Sequence, residues 1–251
     1  PLDRPRTSPP DSAAQTVEFR LQSELTRGVE ELAKRTRTSV FGVLGGALAY
    51  TLCVFGGGED IVFGTPVLRR DREDRRGVIG CLVNMVPIRV RLDHDVTVLE
   101  HLDRLRAALL RSLALQAVPF ENLVAAADID RDPAIQPLVQ VSLRLDTPAG
   151  DVLGLGDTTM RRVGGITPAA KFDLALNVDA VDDGYRGVWH YRTALFDAPT
   201  VARMSEVFVA LLAQMVAAPH SRLSELGTLT RGERGRVFHR WQPARLDEEI
   251  V

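Results

Sequence analysis

Residues 40–55, VFGVLGGALAYTLCVF, contain no charged residue. Thr38 and Ser39 stand just before the run, and either can cap a helix. The spacing therefore predicts a helix from there to about residue 54. A helix that is apolar nearly all round must be covered nearly all round. Its glycines and short length point to a core helix, since no apolar run here reaches the roughly 20 residues that span a bilayer. The rest of the chain has to supply layers around it.

Strand and helix patterns alternate along the sequence. Residues 1–14, PLDRPRTSPPDSAA, read as a Pro-rich linker. Gln15–Leu21 alternates as a strand. Ser23 can cap a helix over 24–36, with Leu25, Val29 and Leu32 on one stripe. Glu59–Val67 is a short buried strand after the GGG turn, and 68–77 is a charged loop. Val78–Val90 reads as a strand and 97–117 as a strongly periodic helix. Pro137–Asp146 is a strand. Residues 147–170 hold five glycines and predict a long loop or crossover. KFDLALNVDA and GYRGVWHYRT flank VDDG, a hairpin signal. Asp197 can cap a helix over 198–217, and a last helix is expected from Thr230 to Trp241. This mixture predicts an α/β or α+β sandwich with a mixed sheet flanked by helices.

The net charge, 31 − 33 = −2, gives no reason to expect a nucleic acid or acidic membrane partner. Cys53 and Cys81 are the only cysteines and follow no metal-ligand spacing, so both are expected reduced and packed, in a cytoplasmic protein. The chain begins at Pro1, which reads as a piece of something longer.

No self-sufficient active site emerges. There is no Gly-x-Ser-x-Gly elbow, and GGGEDIVFG lacks the Gly-Lys-Ser/Thr of a phosphate loop. The five histidines, His94, His101, His190, His220 and His239, are scattered. Asp182 and Asp183 precede Gly184 in a turn, which accounts for them. One polar residue is out of place: Asn84, in the middle of VIGCLVNMVPIRV. An unpaired carboxamide in such a strand costs a few kcal/mol.

Several short strings, in order, carry a resemblance. LDRPR, EDIVFGTPVLRR, IGCLVNMVPIR, LQAVPFENLV, PLVQV, AKFDLAL and LFDAPTVARM are similar to signatures of the condensation domains of non-ribosomal peptide synthetases, specifically their C-terminal half. The resemblance covers about residues 2–241. Four positions depart from it: Leu115 and Ala117 replace a His and an Asp around Gln116, Arg69 stands where Gly is usual, and Leu82 replaces Phe. The family's catalytic His-His-x-x-x-Asp-Gly occurs nowhere in the sequence, so no residue here is expected to be catalytic, and none to hold a metal.

The resemblance implies one lobe of a two-lobed fold like chloramphenicol acetyltransferase, with a tunnel between lobes. It places residues 15–241 in the C-terminal lobe, 1–14 in the link from the N-terminal lobe and 242–251 in a link to a following domain. The implied partners are that N-terminal lobe, donor and acceptor peptidyl carrier proteins bearing phosphopantetheine arms, and an adjacent adenylation domain. Thr65, Pro66, Arg70, Gly80 and Asn84 are then expected on the tunnel floor. Asn84 then either bonds neighbouring backbone or finds its partner in the other lobe, and in the second case its amide is under-satisfied in this chain. Two rival readings are a non-catalytic condensation-like module that binds a carrier protein or recruits a tailoring enzyme, and half of a related acyltransferase.

Overall fold

The computed structural model describes residues 2–7, 11–70, 73, 77–127, 129, 132–146, 152–161 and 169–228. A six-stranded mixed sheet is built from β1 (Ala14–Leu21), β2 (Asp60–Leu68), β3 (Val83–Arg91), β4 (Val141–Asp146), β7 (Leu174–Val181) and β8 (Gly184–Arg192), in the order β1-β8-β7-β4-β2-β3. The β4 pairs with β2 and β7 are parallel and the remaining pairs antiparallel. One face of the sheet carries α1 (Ser23–Arg35), α2 (Val40–Leu52), α3 (Val98–Ala114) and α5 (Ala198–Ala217). The short α4 (Phe120–Ala126) lies beside β3. The α/β sandwich with a mixed sheet is thus the observed class.

Helix α2 is the keystone. It touches β2, β4, α1, α3 and α5, and Leu44, Ala47, Leu48 and Ala49 are fully buried. Each buried leucine contributes roughly 2 kcal/mol. Ser39 caps it by accepting from the Gly42 amide at 3.2 Å. By length and composition alone two segments do match a membrane span, contrary to expectation: Val40–Gly57, with mean hydropathy 1.8, and Ala198–Ala217, with 1.4. Both are core helices whose apolar surface is used by the sheet and by each other.

Beneath α5 the Trp189 ring meets Phe208 edge-on at 5.7 Å, and Phe208 packs on Phe19 at 5.6 Å. Phe19 lies directly opposite Gly187 across the β1–β8 pair. A side chain at 187 would run into that ring, with a Cβ 2.0 Å from Phe19 Cζ.

Several boundaries differ from the sequence reading. Ser23 is the first residue of α1 and not its cap; its hydroxyl donates to Asp183 O at 3.4 Å. Val78–Leu82 lies outside β3, because pairing with β2 begins at Leu68–Val83. The expected loop 147–170 contains a separate hairpin, β5 (Val152–Leu155) with β6 (Thr158–Arg161). Asp197 occupies the cap position of α5 without capping it through its side chain. Asp3 does so instead: its carboxylate accepts from Asp197 N at 2.8 Å and from the Thr200 hydroxyl at 3.1 Å. The first part of the expected linker is therefore docked on the fold. Cys81 is exposed and not packed. The expected helix Thr230–Trp241 and link 242–251 lie outside the described residues.

Candidate functional site

The β2–β3 hairpin and the segment joining α3 to α4 carry most of the singled-out residues. Thr65 is buried on the helix-facing side of β2, opposite Val86. Pro66 points the other way, opposite Met85. Beyond the stem, Arg69 N donates to Leu82 O at 2.8 Å. Arg70 then clamps the returning strand of the loop, donating to Val78 O at 2.7 Å and Gly80 O at 3.3 Å. Gly80 sits in open space at φ +159°. An added Cβ there would meet nothing within 4 Å.

Asn84 is buried on the helix-facing side of β3, opposite Val67. Its amide nitrogen donates to Gln116 O at 2.9 Å and Val118 O at 2.7 Å, and its oxygen accepts from Phe120 N at 3.1 Å. Two carbonyls and one N–H fix which end of the amide is which. Of the two readings, bonding to backbone within the chain is the one observed: one side chain satisfies three backbone groups between α3 and α4. The five expected floor residues therefore do not form one constellation. Arg70 and Gly80 meet in the loop, Thr65 and Asn84 face the helices, and Pro66 faces away.

An apolar lip that no sequence motif marked residue by residue lies at this end of the sheet. Leu68, Val78, Ile79 and Val83 are all exposed, Ile79 completely at 102%, and Leu115 is exposed at the end of α3. They flank the Arg70 clamp and the Asn84 tie. The signal available was the run of aliphatic residues on both sides of a charged loop.

A further contact joins distant strings. Leu138 has φ +61° and centres a tight turn in which Val139 N donates to Pro137 O at 2.7 Å. This sets Val139 over Gly64, where an added Cβ would stand 2.6 Å from both Val139 Cγ1 and Met85 Sδ.

Elsewhere, the charged pairs are structural. Arg89 holds Asp60 through two hydrogen bonds, 2.8 and 2.6 Å, which push the carboxyl pKa down and the guanidinium pKa up. Among the described residues no three His, Cys, Asp or Glu side chains are placed to hold a metal.

His101 is fully buried on α3, with Nε2 at 3.1 Å from Gly46 O. A carbonyl only accepts, so Nε2 carries the proton. Burial holds the imidazole pKa below its usual value, outweighing the Gly46 hydrogen bond. The unfolded chain takes up a proton near pH 6.5, and the folded one only at lower pH. Stability should therefore fall as pH drops below about 6.5, by up to ~1.4 kcal/mol per pH unit. Urea midpoints measured between pH 7.5 and 5 check this, and His101→Gln should reduce the slope. Half-buried His190, shifted in the same direction mainly by burial, leaves a smaller residual slope.

Comparison with known proteins decides the family. A model of the condensation domain matches residues 1–237. The chain belongs to the condensation-domain family. It is 34% identical over 97% of its length to a probable non-canonical nonribosomal peptide synthetase, CymA, of Salinispora arenicola, of which it spans 3%. It is 36% identical over 84% of its length to the phosphinothricin tripeptide synthetase PhsB of Streptomyces viridochromogenes, of which it spans 18%. The crystal structure of a four-domain nonribosomal peptide synthetase bound to AMP and glycine superposes with TM-score 0.87 at 25% identity, over 94% of this chain and 19% of that one. The X-domain from teicoplanin biosynthesis superposes with TM-score 0.83 at 28% identity, over 91% of this chain and 53% of that one.

Within this condensation-family fold the ordered signatures are physical neighbours. The Asn84 tie joins IGCLVNMVPIR to LQAVPFENLV. Gly64 and Val139 join EDIVFGTPVLRR to PLVQV. LDRPR meets AKFDLAL through Arg6 and Asp173.

Proposed function

We propose that this chain is the C-terminal lobe of a condensation domain that forms an amide between a carrier-bound aminoacyl or peptidyl thioester and a carrier-bound aminoacyl acceptor. The observation that carries the reading is one of coverage. Almost all of this chain superposes on part of a four-domain nonribosomal peptide synthetase, and it matches only about half of an isolated X-domain. That is the relation expected of one lobe in two.

In this reading the chain provides a tunnel wall, and the catalytic histidine comes from the N-terminal lobe. Pro66, Arg70 and Gly80 belong to the floor, with Arg70 holding the loop that presents Ile79, while Thr65 faces this lobe's own helices and backs the floor. Asn84 supports the floor from behind by anchoring the α3–α4 segment. The apolar lip of Leu68, Val78, Ile79 and Val83 faces the other lobe, since a patch of this kind is covered in a working assembly. Carrier proteins deliver both substrates on phosphopantetheine arms in the cytoplasm, beside an adenylation domain.

A second reading has one specific support. The X-domain–OxyB complex from teicoplanin biosynthesis superposes with TM-score 0.83 at 29% identity, and Leu115 and Ala117 depart from the family pattern around Gln116. A non-catalytic module recruiting a tailoring enzyme would fit both.

One assay separates the two. The intact two-lobed domain should convert loaded donor and acceptor carrier proteins to a condensed product, read by mass spectrometry of the released arm. The present chain alone should give none, because proton transfer at the acceptor amine has no histidine in place. Product from the chain alone refutes the division of labour, and an inert intact domain favours the recruiting module.

A further inference from the structure

The LDRPR string lies away from the site above, and the structure anchors each of its charged side chains. Asp3 N and Arg4 N both donate to Leu195 O, at 3.0 and 3.3 Å. The Asp3 carboxylate caps α5. Arg4 donates to Thr193 O at 2.6 Å and pairs with Asp197. Arg6 donates to Ala134 O at 3.3 Å and pairs with Asp173, just before β7. Leu2 packs against the core. Residues 2–6 thus tie together the start of α5, the turn before it, the 134 segment and the head of β7.

These anchors are not equal. The Arg4–Asp197 pair is half exposed on both sides, so water and salt screen it. Asp173 is buried, its side chain 4% exposed. Its other charged neighbour, Arg192 Nη1, stands at 3.6 Å, beyond hydrogen-bonding distance. Neither Asp173 Oδ1 nor Arg192 Nε makes a hydrogen bond. Arg6 therefore supplies the charged hydrogen bond that holds this buried carboxylate.

The geometry of the joint sets what this can do. Six unpinned residues can reach roughly 20 Å at ~3.4 Å each. Reaction between groups held on two lobes needs the reacting atoms within about 3.5 Å. A loose joint cannot hold that spacing, whereas a joint pinned at three side chains can.

We infer that Arg6 is a positioning residue for amide formation, acting through Asp173 to fix where the other lobe joins this one. The inference rests on the two-lobed reading above. It predicts that, in the intact domain, Arg6→Met broadens the distance distribution between labels placed on the two lobes. It also lowers kcat about tenfold or more, with KM for the loaded acceptor carrier unchanged. Arg6→Lys keeps the charge without the fork and should recover part of both. Arg89→Met, which breaks an exposed pair at the sheet edge, should move neither. Unchanged distances and kcat in a folded Arg6→Met domain overturn the inference. If that variant does not fold, Arg6→Lys, which keeps the charge without the fork, carries the same test: a shift in distances and kcat supports the inference, and no shift in either overturns it. If even the unaltered intact domain forms no amide, the functional reading fails, and the interlobe distances still decide for or against the strap.

Discussion

Asn84→Ala should lower the unfolding free energy by about 3 kcal/mol. The change leaves the Phe120 N–H and the carbonyls of Gln116 and Val118 without their partner. Each buried group left unpaired costs ~1–3 kcal/mol, reduced where water reaches the segment. Asn84→Asp should be worse at pH 7. Its carboxylate still accepts from Phe120 N but sets a negative oxygen against two carbonyls. Acid should rescue Asn84→Asp relative to Asn84→Ala, because a protonated carboxyl can donate again. Urea midpoints of the three proteins at pH 7 and pH 4 measure this. A cost below about 0.5 kcal/mol for Asn84→Ala would mean that the tie is dispensable and that the residue is kept for the tunnel after all.

Asp173→Ala should cost more, about 3–4 kcal/mol. The carboxylate lies between Arg6 and Arg192, whose side chains are 20% and 10% exposed. Its removal leaves two guanidinium groups facing each other with little water. Breaking a buried pair from one side typically costs ~3–5 kcal/mol, since a charge is left uncompensated. For a domain of this size that is a fall in Tm of roughly 10 °C. Adding Arg6→Met to Asp173→Ala should recover part of the loss by removing one of the stranded charges. Thermal unfolding of the single and double variants gives the coupling directly. Additive losses would show that Arg6 and Asp173 do not depend on each other.

Asn84 and Arg6 show where sequence reasoning stops. Asn84 was visible as an anomaly because a polar residue interrupts an aliphatic run. What it bonds to was not visible, because Gln116, Val118 and Phe120 lie more than thirty residues away and offer only backbone groups. Every residue has those groups, so no side-chain pattern marks them. Residues 1–14 read as a linker because prolines and mixed charges are what linkers contain. Nothing local distinguishes a solvated Arg6 from one that reaches Asp173, 167 positions later. His101 gave the same difficulty: its place on a periodic helix was clear, but its hydrogen bond to Gly46 depends on how α3 crosses α2.

Periodicity and composition determined the main helices and strands and the class. An all-apolar helix demanded a core around it, and alternating segments supplied the sheet. These are properties of neighbours along the chain, where spacing alone decides which side chains share a face. Tertiary structure decided the rest: the strand order, the capping of α5 by Asp3, the clamp of Arg70 on the loop carbonyls and the pairing of Arg6 with Asp173. These contacts exist only once distant segments are packed, and backbone carbonyls and buried charges choose partners by position in space.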